Sequence, residues 1–263
     1  MMTIREYKRA ESLEEAWQLN QKKNNRVLGG MIWLKMEKIN VGTAIDLSGL
    51  GLDAIEETDE SFSIGAMVTL RQLELHEGLN TYTDGAMRES VRHIVGVQLR
   101  NLATVGGSIY SRFGFSDVLT MFLALNASVE LYKGGIVALE EFANMKSDND
   151  ILVRLIIKKR PGAFAYQAVR KQRTDLPSLN CVAAKVGDEY RVVIGSRPAR
   201  AMVLRDEKGI LTGGIVQKST AAFADYAANN VAVAGNMWGS AEYRKALVPV
   251  LTRRALTALG EAL

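Results

Sequence analysis

The feature that most constrains this chain is a break: the apolar strand read at Ile151 to Lys158 runs straight into Pro161-Gly162. Proline fixes φ and lacks an N–H, and glycine permits a turn, so the strand must stop there and the chain must change direction. Before the break, short strands and helices are intermixed. After it, three strands (Ala163 to Val169, Leu179 to Val186, Tyr190 to Ile194) precede two helices, about Gly214 to Ala228 and Ser240 to Ala262. Such an order lacks strict β-α alternation and predicts the α+β class. The expected domains are 1–160, followed by a smaller α+β domain over 163–263 with an antiparallel sheet and helices.

The first part carries its own punctuation. Ser12-Leu13-Glu14-Glu15 is a capping box opening a helix to about Lys22, and the short strand Val27-Leu28 ends in Gly29-Gly30. With a strand at Ala44 to Leu47, the opening residues form a small β-α-β subdomain, about 1–52, leaving 53–160 as a second one. A strand at Ser61 to Ala66 precedes a second capping box, Thr69-Leu70-Arg71-Gln72. Helices are expected at Gly85 to Ile94 and Asp117 to Leu125, and a hairpin turns at Gly134-Gly135 between Ser128 to Lys133 and Ile136 to Ala138.

Composition excludes several function classes. Lys plus Arg exceed Asp plus Glu by only 33 to 29, too small and dispersed an excess for a nucleic-acid surface. The single cysteine, Cys181, rules out an internal disulfide framework and a cysteine-bound metal or iron–sulfur site in this chain; its apolar neighbours predict a buried structural thiol. The polar opening segment has no signal-peptide character, and no apolar run approaches the ~20 residues of a membrane span, so a cytoplasmic protein is expected.

Two glycine pairs are the chemical candidates: Gly29-Gly30 at a strand end, and Gly106-Gly107 within Thr104-Val105-Gly106-Gly107-Ser108. Without Cβ atoms, successive amides can line an anion-binding nest suited to a diphosphate; each pair can equally be no more than a tight turn. Neither matches G-x-G-x-x-G or the P-loop. The histidines His76 and His93 lack metal-ligand spacing and read as surface or satisfied side chains. Glu14-Glu15, Glu56-Glu57 and Glu140-Glu141 are adjacent rather than one helical turn apart, so they read as solvated. No catalytic acid–base residue and no metal ligand is assigned.

The wording around the second pair decides between these alternatives. Leu99-Arg100-Asn101-Leu102-Ala103-Thr104-Val105-Gly106-Gly107-Ser108, with Ser116-Asp117 and the apolar Val118 to Ala127, resembles the pattern of the FAD-binding subunits and domains of molybdenum hydroxylases. That family includes xanthine dehydrogenase and carbon monoxide dehydrogenase. Val27-Leu28-Gly29-Gly30, Ser63-Ile64-Gly65-Ala66 with Val68-Thr69-Leu70, Ser240-Ala241-Glu242-Tyr243-Arg244 and Arg253-Arg254-Ala255-Leu256 resemble its other signatures in the correct order.

The resemblance implies a two-subdomain FAD-binding domain of the molybdopterin dehydrogenase flavoprotein type. FAD contacts would come from a first loop, Arg26, Val27, Leu28, Gly29, Gly30, Met31, Ile32 and Trp33, and a second, Thr104, Val105, Gly106, Gly107 and Ser108. Asp117 would hydrogen-bond the flavin's polar side chain, or serve as a solvated first-turn residue. Leu152 would pack near the adenine end; Ile94 and Tyr110 occupy further contact positions that core packing serves equally. The resemblance also implies an oxidoreductase subunit that passes electrons from iron–sulfur clusters on a partner subunit through FAD to an acceptor such as NAD. A molybdopterin-binding large subunit would hydroxylate the substrate.

Three departures bear on that role. Met31 and Ile32 replace the family's Thr-Asp, the linker Arg112-Phe113-Gly114-Phe115 lacks its Ser-Pro, and Gln167 and Ala168 stand where many relatives carry lysine, with Arg170 or Lys171 as substitutes. The altered first loop and the missing lysine motivate the alternative of a non-catalytic assembly subunit of the same fold that has lost FAD.

Overall fold

The computed structural model describes residues 1–263. The chain forms two compact units, and it passes between them more than once. The first comprises residues 1–72, 97–111 and 127–158; the second comprises 73–96, 112–126 and 159–263. The Pro161-Gly162 break therefore lies beside the last passage. Two earlier segments, 73–96 and 112–126, group with the C-terminal part rather than with the 1–160 domain expected from sequence.

In the first unit, strand Asn40–Asp46 lies centrally in a parallel sheet between Thr3–Arg9 and Arg26–Leu28. Helix Leu13–Asn20 begins as its capping residues dictate: Ser12 Oγ accepts from the Glu15 amide at 3.1 Å. The reciprocal Glu15 carboxylate takes the Glu11 amide instead of that of Ser12. Strand Thr3–Arg9 was not anticipated, because nearly all its residues are exposed and show no apolar alternation. A five-stranded antiparallel sheet follows, ordered Ile55–Glu57, Ser61–Gly65, Leu152–Lys158, Ser128–Leu131, Gly135–Ala138. Gly135 has φ 69°, as the hairpin turn requires. Ile151 and Val153 share a core with Ala16, Ile45 and Leu47, so the two sheets of this unit are joined by one apolar interior.

The second unit is built on a four-stranded antiparallel sheet ordered Met202–Arg205, Glu189–Gly195, Pro177–Val186, Gly162–Arg170. Three strands were foreseen; Met202–Arg205 is the fourth. Side chains alternate across a strand. Leu179, Cys181 and Ala183 therefore face the core made with helices Gln217–Asn230 and Ala241–Ala262, while Asn180 faces helix Asp117–Ala124. Burial on both faces explains why Leu179 to Val186 is apolar except at Asn180 and Lys185. Cys181 is fully buried, and burial pushes its thiol up to about 12. No helix is long and apolar enough to cross a membrane.

Candidate functional site

The two glycine pairs meet. Both belong to the first unit, and their backbones are in contact. A Cβ on Gly29 would lie 2.9 Å from Thr104 Oγ1 and 3.3 Å from Gly107 Cα. A Cβ on Gly30 would lie 1.9 Å from the Leu102 carbonyl oxygen and 2.8 Å from Ala103 Cα. These glycines are required by close approach, not by a left-handed φ. The left-handed residue of the first loop is Met31, with φ 56°.

The loops differ in what they can offer a ligand. Thr104 caps a short helix, Val105–Tyr110, in which both Gly106 and Gly107 lie. Glycine disfavours helix, which hid this element in the sequence; Gly106 is needed because a Cβ there would meet the Ala66 carbonyl oxygen at 2.6 Å. The first amides of a helix lack intrahelical partners. Here Val105 N–H donates to Val68 O at 2.8 Å, Gly106 N–H to Ala66 O at 2.8 Å, and Gly107 N–H to Thr104 Oγ1 at 3.1 Å. The second loop's amides are thus turned inward, contrary to the expected nest. No hydrogen bond within the chain is donated by the amides of Gly29, Gly30, Met31 or Ile32, and these residues are half-exposed. The amides open to an anion belong to the first loop. The second supplies side-chain-free surface and the Ser108 and Ser111 hydroxyls, which donate to Thr104 O and Gly107 O.

Other expected contact residues divide by unit. Met31 packs against the small core of Leu28, Val41 and Ala44, which accounts for an apolar residue in place of a polar one. Trp33 is exposed, and Arg26 is tied by its guanidinium to the Lys23 and Asn25 carbonyls. Leu152 is buried in the five-stranded sheet. Tyr110 donates to the Asp148 carbonyl and packs on Phe142.

Asp117 belongs to the second unit, as first residue of a helix capped by Ser116. Its carboxylate is almost fully buried, and its solvated reading is excluded. Oδ1 accepts from the Tyr166 hydroxyl and the Asn180 amide, each at 2.6 Å; Oδ2 accepts from Arg170 at 2.9 Å. Burial, reinforced by the Asp117 charge, drives the Tyr166 hydroxyl well above its usual range. For Arg170, burial is the largest influence and pulls downward, but the charges of Asp117 and Tyr166 and their hydrogen bonds together outweigh it, so the guanidinium is held upward. Sequence reasoning did not find this network, because its members lie on three elements. Arg170 is committed to it, while Lys171 donates to the Met237 carbonyl at 2.9 Å. His76 is a helix cap, its Nδ1 accepting from Leu79 N–H at 3.1 Å. No cluster of metal-ligating side chains is present.

A parallel-sheet subdomain and a five-stranded sheet thus carry two interlocked glycine loops, and a second α+β unit completes the chain. Residues 2–159 match the family described as the FAD binding domain in molybdopterin dehydrogenase, and the chain belongs to that family; FAD is its cofactor. The chain is 24% identical to the Escherichia coli K12 protein YgfM over 254 residues, covering 94% of this chain and 93% of that one. It is also 24% identical to the nicotine 6-hydroxylase medium subunit of Paenarthrobacter nicotinovorans (86% and 85% covered). The glyceraldehyde dehydrogenase medium chain of Sulfolobus acidocaldarius is again 24% identical (95% and 96% covered). Among solved structures, quinoline 2-oxidoreductase from Pseudomonas putida 86 superimposes with TM-score 0.86 at 18% identity, covering 98% of this chain and 97% of that one. CO dehydrogenase from Oligotropha carboxidovorans does so with TM-score 0.85 at 23% identity (98% and 97% covered). These two likenesses establish the fold.

The residues present fit the cofactor. The first loop has amides without an internal acceptor, set against a second loop from which side chains are excluded, a surface suited to a diphosphate.

Proposed function

We propose that this chain is the electron-relay subunit of a cytoplasmic molybdenum hydroxylase complex of the xanthine dehydrogenase kind, working beside an iron–sulfur subunit and a molybdopterin-binding large subunit. When bound, FAD would supply the redox chemistry of a relay between the iron–sulfur partner and an acceptor such as NAD. The chain's own residues bind and orient. The amides of Gly29, Gly30, Met31 and Ile32 hold the diphosphate, within a first loop spanning Arg26 to Trp33. Thr104 to Ser108 form the opposing wall, with Ser108 contributing its hydroxyl. Leu152 packs near the adenine end, and Asp117 takes the flavin's polar side chain at Oδ2, which accepts only one protein donor.

The observation carrying this reading is the interlock of the two glycine loops with four amides left open on one of them. Met31 favours the FAD-binding reading over a scaffold that has lost FAD, because its side chain serves the core and leaves the backbone donors in place. The test is to purify the chain in excess FAD, desalt it and record its visible spectrum. Oxidised-flavin absorption at close to one equivalent per chain is expected. Colourless protein that fails to take up added FAD refutes the binding site. Full hydroxylase turnover by the chain alone refutes the division of labour.

A further inference from the structure

The second unit contains a cavity of about 370 Å³ that the flavin reading does not use. It lies among segments 112–115, 196–200 and 236–244, and every residue lining it belongs to that unit. The walls are locked together. Ser196 N–H donates to Gly114 O at 2.9 Å, Ala234 N–H donates to Arg197 O at 3.2 Å, and a Cβ on Gly114 would meet the Ala199 carbonyl oxygen at 2.6 Å.

Its electrostatics are one-sided. Arg112, Arg200 and Arg244 line it, and no aspartate or glutamate does. Arg244 is about 1% exposed, and every acceptor around it is neutral: the carbonyls of Ser178, Ser196, Ala234 and Gly239, and Asn236 Oδ1. No carboxylate pairs with it, and burial pulls its pKa downward. A buried guanidinium with neutral partners keeps its charge and is stabilised by an anion brought close to it. Ser196, 3% exposed, has a buried Oγ without any hydrogen-bond partner. Both Arg112 (φ 50°) and Ser196 (φ 58°) hold left-handed backbone without being glycine, a strain that gathers at binding sites.

We propose that this cavity is a binding site for a small oxyanion, a phosphate or carboxylate group, whose charge compensates Arg244 and whose oxygen accepts a hydrogen bond from the Ser196 hydroxyl. Trp238 and Phe115 give the remainder of the ligand an aromatic wall. The proposal does not rest on the flavin reading, since none of the glycine-loop residues lines the cavity.

Calorimetric titration of the FAD-loaded chain with sodium phosphate, and separately with sodium acetate, at ionic strength matched by chloride, tests it. Saturable binding of at least one anion is expected, and the tighter of the two identifies the ligand as phosphate- or carboxylate-bearing. Ser196→Ala removes the buried orphan hydroxyl, and Arg200→Gln removes charge from an exposed wall position; each is expected to weaken binding about tenfold. Three results overturn the proposal: no saturable binding of either anion, binding unchanged in both variants, or binding seen without FAD and abolished by saturating FAD. The last would assign the cavity to the cofactor.

Discussion

Gly30→Ala is the sharpest probe of the interlocked loops. The added methyl carbon would sit 1.9 Å from the Leu102 carbonyl oxygen, 2.5 Å from its carbon and 2.8 Å from Ala103 Cα. All three are backbone atoms, so no rotamer change relieves the overlap. Restoring a contact of about 3.5 Å requires the loops to part by roughly 1.6 Å. The segment that must retreat is anchored, because Ala103 O accepts the Leu70 N–H at 2.9 Å. Overpacking of this kind costs about 1–3 kcal/mol. If the displaced amides lose a matching share of diphosphate binding, FAD affinity falls roughly 5- to 150-fold.

Urea unfolding of the FAD-free chain reads the first quantity, and flavin-fluorescence titration reads the second. Gly213→Ala, where a Cβ meets nothing within 4 Å, is the matched control, expected within about 0.5 kcal/mol of wild type and with unchanged FAD affinity. Gly107→Ala should fall between them, since its nearest obstacle is Thr104 Oγ1 at 3.1 Å. Wild-type stability in Gly30→Ala would refute the steric argument. Lost stability with unchanged FAD affinity would refute the assignment of the diphosphate to these loops.

Asp117→Ala should destabilise the FAD-free chain by about 3–5 kcal/mol in urea, because it strands a buried Arg170 guanidinium; the Asp117→Leu/Arg170→Met double variant should recover part of that loss. Met31→Val should cost about 1–2 kcal/mol by forcing a β-branched residue to φ 56°, again read by urea unfolding. Thr69→Ala removes the hydroxyl arm of a capping box, in which Thr69 Oγ1 accepts the Gln72 N–H at 3.2 Å, while the residue-69 N–H can still donate to Gln72 Oε1, and should lower stability by about 1 kcal/mol. The Cys181 thiol ionises near 9.0 when unfolded and at about 12 when folded, so above pH 9 the unfolded chain releases a proton that the native chain keeps. Stability should therefore fall between those values with a contribution of about 1.4 kcal/mol per pH unit that is absent from Cys181→Ala.

Local signals carried well from sequence to structure. Ser12 and Thr69, which the capping-box spacing marks in the sequence, each accept the amide three residues on. What escaped was set by distant partners. Strand Thr3–Arg9 is charged and exposed and exists because Asn40–Asp46 offers it a parallel edge. Segments 73–96 and 112–126 group with the second unit through contacts that no local pattern encodes. The site was legible to a similar depth. The glycines could be named, but not that the first loop would keep its amides free while the second spent its own on Ala66, Val68 and Thr104.

That asymmetry changes what the substitutions at Met31 and Ile32 mean. If side chains held the diphosphate, losing a polar pair would weaken the site in proportion to the hydrogen bonds removed. With backbone amides as the donors, the requirement passes to conformation: the loop must turn sharply after Gly30 and stay pinned. The left-handed φ of Met31 makes the turn. Its side chain, packed on Leu28, Val41 and Ala44, does the pinning, as does the Lys35 N–H bond to Met31 O at 3.2 Å. An apolar residue at position 31 is then a different means of fixing the same amides. Met31→Thr, which restores a polar side chain but gives up that packing, should on this reasoning weaken FAD binding. A gain in affinity would show that the side chain, not the backbone, is what the cofactor reads.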